Sequence, residues 1–141
     1  GSAQKSQIVR EAARLLKPGG RYGVHELCLI PDDLDDSIKQ EIQQALSRSI
    51  HVGARPLTAN EWHAVLKAEG FDITAETLRP MRLLESDRLI QDEGLWSALR
   101  FAWNLCCDRE ARQRVLAMRR VFMQHRSRLA AIMLVGIKTS E

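Results

Sequence analysis

The stretch Leu15–Ile30, LLKPGGRYGVHELCLI, constrains the fold more than any other part of the chain. Ile8, Ala12, Leu15 and Leu16 recur at helical spacing, and Lys17-Pro18-Gly19-Gly20 then stops the helix. The lysine suits the negative end of the helix dipole, proline cannot extend the hydrogen-bond ladder, and glycine accepts left-handed backbone. The segment that follows, Arg21–Ile30, carries Tyr22, Val24 and Cys28 on one face and Leu27 and Leu29 on the other. A strand apolar on both faces is covered on both faces, which points to a largely parallel sheet between helical layers.

Downstream, Pro31 ends the strand and the acids Asp32, Asp33, Asp35 and Asp36 introduce a helical pattern of Ile38, Ile42, Ala45, Leu46 and Ile50. Carboxylates belong there, because the first amides of a helix are unpaired and the dipole is positive. In LTANEWHAVLKAEGF, Thr58 and Glu61 have capping-box spacing, Leu57 and Trp62 have hydrophobic-staple spacing, and Gly70-Phe71 suits a left-handed stop. Residues 71–78 alternate as a one-sided strand does, residues 83–128 read as helices broken near Gly94 and at Cys107-Asp108, and 130–138 is a second strongly apolar strand. The fold class is therefore α/β, a single domain with a small mixed sheet, flanking helices and a helical insertion at about 83–128. The opening Gly1-Ser2 reads as a cloning remnant and is set aside.

The totals exclude several classes. At 141 residues with 45% hydrophobic side chains, a core forms without staples, and a net charge of +3 is too small to indicate nucleic acid. The cysteines Cys28, Cys106 and Cys107 have no Cys-x-x-Cys spacing, which suits a reducing cytoplasmic setting better than a disulfide framework or zinc site. The apolar run Leu129–Ile137 is well short of the roughly 20 residues that a membrane span requires. No two of the 8 glycines are separated by a single residue, so the dinucleotide fingerprint is absent, as is Gly-Lys-Ser/Thr.

IVREAARLLKPGGRYGVHEL resembles the segment of class I S-adenosylmethionine-dependent methyltransferases in which a helix ends in Leu-Lys-Pro-Gly-Gly and feeds the fifth strand. RPLTANEWHAVLKAEGFDI resembles their following helix and sixth strand, and AAIMLVGIK their seventh, which runs antiparallel between the fifth and sixth. The resemblance implies a partial Rossmann-like fold: the carboxyl-terminal, acceptor-side half, without the amino-terminal half that holds the cofactor. It further implies that this chain alone binds no cofactor, whereas a complete enzyme of the family uses S-adenosylmethionine. The strand at 21–30 then needs a cover, either the missing half or a second copy in a homo-oligomer. The rival reading is a non-catalytic dimerising interaction module built on the same fold.

The resemblance makes His25, Glu26, His51, Arg55 and Trp62 the candidate substrate-binding residues, facing a small-molecule methyl acceptor, with His25 a candidate base. For His25, Glu26 and Trp62 a plainer reading is favoured. His25 and Glu26 point to opposite faces of the strand and would form hydrogen-bonded core partners. Trp62 would be a packing residue, and Trp96 and Trp103 a core stripe rather than an acceptor pocket. DDLDD has the spelling of a magnesium-diphosphate motif but lacks the second motif that such sites need, so helix-start acids explain it. The arginines at 112, 119 and 126 share one helical face, and a solvated face is favoured over phosphate or nucleic-acid binding.

Overall fold

The computed structural model describes residues 2–50, 55–80 and 95–139. Helix α1 (Ser2–Leu15) leads into β1 (Arg21–Leu29), α2 (Asp36–Ile50), β2 (Leu57–Thr58), α3 (Ala59–Ala68) and β3 (Phe71–Pro80). Helices α4 (Leu95–Cys107) and α5 (Arg109–Gln124) follow, then a single 3₁₀ turn (Arg126–Arg128) and β4 (Leu129–Lys138). The candidate His51 and the proposed break near Gly94 lie outside the described residues.

The strands form one four-stranded mixed sheet in the order β2-β1-β4-β3, with β4 antiparallel to both neighbours and β2 parallel to β1. The α/β class and the inserted antiparallel last strand agree with the sequence reading. Strand β2 is an addition: at two residues it is too short to alternate, and it pairs only Leu57 with Cys28 and Thr58 with Leu29. The outer edge of β1 is thus paired at its carboxyl end alone, and Arg21–Leu27 have no strand partner on that side among the described residues.

Each face of the sheet carries its own core, as the two-sided pattern of β1 requires. On one face Val24 and Cys28 of β1, Ile132 and Leu134 of β4 and Phe71 of β3 pack under Val9 of α1 and Trp62 and Leu66 of α3. On the other, Leu29 and Leu129 pack under Ile42 and Leu46 of α2, with Val121 and Phe122 of α5 beside them. Burying a side chain of this size contributes about 1.5–3 kcal/mol, so these clusters set the register of the strands. The second core occupies only the carboxyl end of β1. Further along that face, Gly23 and His25 are exposed, and Met133, the register partner of His25, is 51% exposed.

Local chemistry places the elements. Gly19 sits at φ +80 and Gly70 at φ +84, so both helix stops use the backbone region that favours glycine. Gly19 and Gly20 then bind the Lys138 backbone through two hydrogen bonds of 2.8 Å, which ties the Lys-Pro-Gly-Gly turn to the end of β4. At Asp108 the carboxylate accepts from the amides of Glu110 and Ala111 at 3.0 Å, which starts α5 where the sequence breaks its helical pattern.

Candidate functional site

Ligands of open α/β sheets gather at the carboxyl ends of the strands, where β1 and β2 deliver Ile30 and the start of α3, while Arg55 comes just before β2. Thr58 Oγ1 accepts from the Glu61 amide at 3.3 Å, which is the expected cap of α3. The reciprocal arm of the capping box is replaced. The Glu61 carboxylate instead holds Lys39 of α2 at 2.8 Å, and that hydrogen bond raises the Lys39 pKa above its usual range. Asp32 Oδ1 accepts from the Asn60 amide at 2.8 Å, so this acid serves α3 across 28 residues rather than the helix that follows it in sequence. Asp36 opens α2 and faces Lys39 at 3.9 Å. These contacts pin α2 against α3 and give DDLDD two structural roles; among the described residues no three His, Cys, Asp or Glu side chains converge on one point.

Helix α2 presents three stripes. Ile42 and Leu46 face the sheet, Gln40, Gln43, Gln44 and Ser47 recur at helical spacing on a polar side, and Glu41, Ala45 and Arg48 turn toward α5. The polar stripe and Arg55 line a groove of about 590 Å³. Primary amides offer both donors and acceptors, so this wall suits a polar, largely uncharged ligand face with Arg48 and Arg55 at its margin. The stripe is visible in the sequence at i, i+3, i+4 and i+7, but it carries neither the charge nor the aromatic rings by which the other candidates stand out.

A second cluster gathers around Lys5. Its ammonium donates to the Arg55 carbonyl, lies 5.8 Å from the centre of the Trp62 ring, and is attracted by Glu26 and Glu61. Burial outweighs those carboxylates and lowers the Lys5 pKa. Glu26, Arg55 and Trp62 are thereby brought to one neighbourhood by a residue that the sequence did not single out. Trp62 is 3% exposed and packs with Leu57 in the first core, in agreement with the packing role favoured for it. Its indole nitrogen is buried without an acceptor among the described residues.

Two expectations are corrected. His25 and Glu26 do project to opposite faces, but both are exposed rather than paired in the core, because the helices above β1 cover only part of each face. His25 therefore stands apart from the Lys5 cluster. Trp103 is 71% exposed, not core, since α4 packs chiefly on α5 and leaves this flank bare; the Trp96 side chain lies outside the described residues. Arg112, Arg119 and Arg126 are exposed, as a solvated face requires. No described helix is long and apolar enough to cross a membrane.

No protein-family profile matches the chain. An uncharacterised protein of Haemophilus influenzae is 29% identical over 100 residues, which is 71% of this chain and 38% of that protein. A cyclopropane synthase of Mycobacterium tuberculosis superposes with a TM-score of 0.65 at 14% identity, over 98% of this chain and 51% of its own. An S-adenosylmethionine-dependent methyltransferase of Geobacter sulfurreducens, solved with S-adenosylhomocysteine, gives 0.56 at 16% identity, over 94% and 51%. The fold is that of these methyltransferase-like proteins. The chain spans about half the length of these solved structures and 38% of its curated relative.

Proposed function

We propose that these residues form the acceptor-side half of an S-adenosylmethionine-dependent methyltransferase, a half that neither holds the cofactor nor transfers a methyl group alone. One observation carries the reading: nearly all of the chain superposes on about half of each methyltransferase-like structure, and β1, at the boundary, keeps an unpaired outer edge from Arg21 to Leu27 among the described residues. Helix α1 supports it. At about 100° per residue, Arg10 faces α3, where it binds Glu69 at 3.2 Å, while Ile8 and Leu15 point to the opposite flank. They are 61% and 72% exposed, an apolar surface beside the bare edge that an adjoining strand and helix would cover.

In the complete protein the amide wall of α2, with Arg55, would bind and orient the acceptor. Glu26 and Trp62 would border the site through Lys5, and His51 would contribute to acceptor binding. Orientation of a bound acceptor is the main catalytic contribution open to such a wall. Calorimetric titration of S-adenosylmethionine into this chain tests the reading: no heat of binding is expected, and micromolar affinity would refute it. Restoring the upstream half should create that binding.

The same bare edge favours a second reading, a module that dimerises through β1 and acts by binding. Sedimentation across a concentration series separates the two: a monomer supports the half-enzyme, and a stable dimer supports the module. Both readings place the protein in the cytoplasm, the setting to which its unpaired cysteines point.

A further inference from the structure

The side of α2 next to the amide wall, sharing Arg48 with it, meets α5 in a second groove, of about 430 Å³. We propose that this groove binds an oxyanion, the phosphate group of a small molecule. Its lining brings Arg48 from α2 together with Arg120 and Gln124 from α5, and Ser49 and His125 complete the polar set. Glu41 is the single acid among the lining residues. Two guanidinium groups from opposite helices, with the Gln124 amide as a neutral donor beside them, match an anion whose oxygens point in several directions; the Ser49 hydroxyl donates to the Leu46 carbonyl at 3.1 Å and offers only its oxygen.

His125 distinguishes this groove from a chance meeting of surface arginines. The residue caps α5 and is 4% exposed, yet no hydrogen bond to its ring is found among the described residues. Among the described residues only the Trp62 indole nitrogen is fully buried without a partner, so the His125 ring, although almost wholly enclosed, keeps its nitrogens accessible, and an oxyanion seated in the groove that it lines can meet one of them. The arginines are equally available. Arg48 Nε donates to the Gln44 carbonyl at 3.3 Å, which steadies the stem and leaves the terminal nitrogens to reach outward. On the same helix as Arg120, Arg114 is occupied by Glu110 at 3.4 Å, whereas Arg120 has no ion pair among the described residues.

Position supports a ligand here as well. Beyond His125 the chain turns into β4, and the Ile30 amide binds the Arg128 carbonyl at 2.9 Å, so the groove lies at the carboxyl end of β1. Ala45, Ala117 and Val121 back it with apolar surface, which excludes water from one side of a bound ion. All of these residues belong to this chain, so the site does not depend on an absent half or on methyl transfer.

Inorganic phosphate, titrated into the full chain at constant ionic strength, is the probe, followed by calorimetry and by the imidazole resonance of His125. A saturable shift of that resonance is expected. In Arg48→Ala/Arg120→Ala the affinity should fall at least ~10-fold, with the fold checked by circular dichroism. Arg112→Ala/Arg119→Ala removes the same charge elsewhere on α5 and should leave the affinity unchanged. Titration with phosphatidate vesicles separates a lipid headgroup, bound more tightly than free phosphate, from a soluble phosphate, for which vesicles compete no better. A His125 resonance that does not move, or equal losses in the two double variants, would overturn the proposal.

Discussion

The Lys138 ammonium donates to the carbonyls of Leu16 and Ala13, at 2.7 and 2.5 Å, so the last residue of β4 closes the last turn of α1. These carbonyls have no partner further along the helix, and a cation there also meets the negative end of the dipole. Residues more than 120 positions apart in sequence are thus joined at the amino end of β1.

Replacing that ammonium while keeping the length of its stem, as in Lys138→Met, should destabilise the fold by about 1–3 kcal/mol. The loss would be read as a lower urea midpoint with an unchanged slope. A shift below about 0.5 kcal/mol, the range of an ordinary surface substitution, would mean that water replaces the ammonium without cost.

Gly136 is closed to any larger residue for a different reason. A Cβ built there stands 3.0 Å from Phe71 Cβ, and Phe71 is 1% exposed in the first core and cannot swing away. Gly136→Ala should therefore cost about 1–3 kcal/mol by overpacking. Gly23→Ala makes the comparison, since nothing lies within 4 Å of a Cβ at that position. Equal urea midpoints for the two variants would contradict the packing described between β3 and β4.

Much of this framework was legible because its causes are local. The Lys-Pro-Gly-Gly stop, the Thr58 cap, the Asp108 break and the apolar run of β4 are each written within a few consecutive residues. The unread features depend on distance in space. Asp32 was assigned to the helix that follows it, yet it caps α3, 28 residues on. Lys5 looks like an ordinary surface cation until the fold sets it beside Trp62 and the Arg55 carbonyl. His25 and Glu26 were expected to pair inside because alternation in a strand reports which face a residue takes, while its burial depends on which helices cover that face.

The thiols should divide by burial. Cys28 is completely buried, which pushes its pKa up to about 12, whereas Cys106 and Cys107 are exposed. Under native conditions a thiol reagent should label the two exposed cysteines rapidly and Cys28 only on unfolding. The shift also has a sign in stability. Below the unfolded pKa, near 9, both states keep the proton; above it the unfolded thiol ionises first, so the unfolded state binds fewer protons and stability falls with rising pH. Between about pH 9 and 11 the wild type should lose more stability than Cys28→Ala, by up to ~1.4 kcal/mol per unit. Parallel pH profiles would exclude the buried thiol as their cause.

Amide exchange should report on the outer edge of β1. Strand β4 has a partner along its length on each side, so its amides should all exchange slowly, whichever way they point. In β1 successive amides point alternately toward β4 and outward, and from Arg21 to Leu27 the outward set has no strand to bind among the described residues. A dilute sample should therefore show an alternating pattern in β1, slow and fast by turns, that becomes uniform protection near Cys28 and Leu29, where β2 is paired. Should the outward amides slow as protein concentration rises, a second copy covers the edge, and Ile8→Lys/Leu15→Lys should restore the alternation by placing charge beside it. Uniform protection that is independent of concentration would mean that the edge is covered from within the chain, and would remove the structural basis for an absent half.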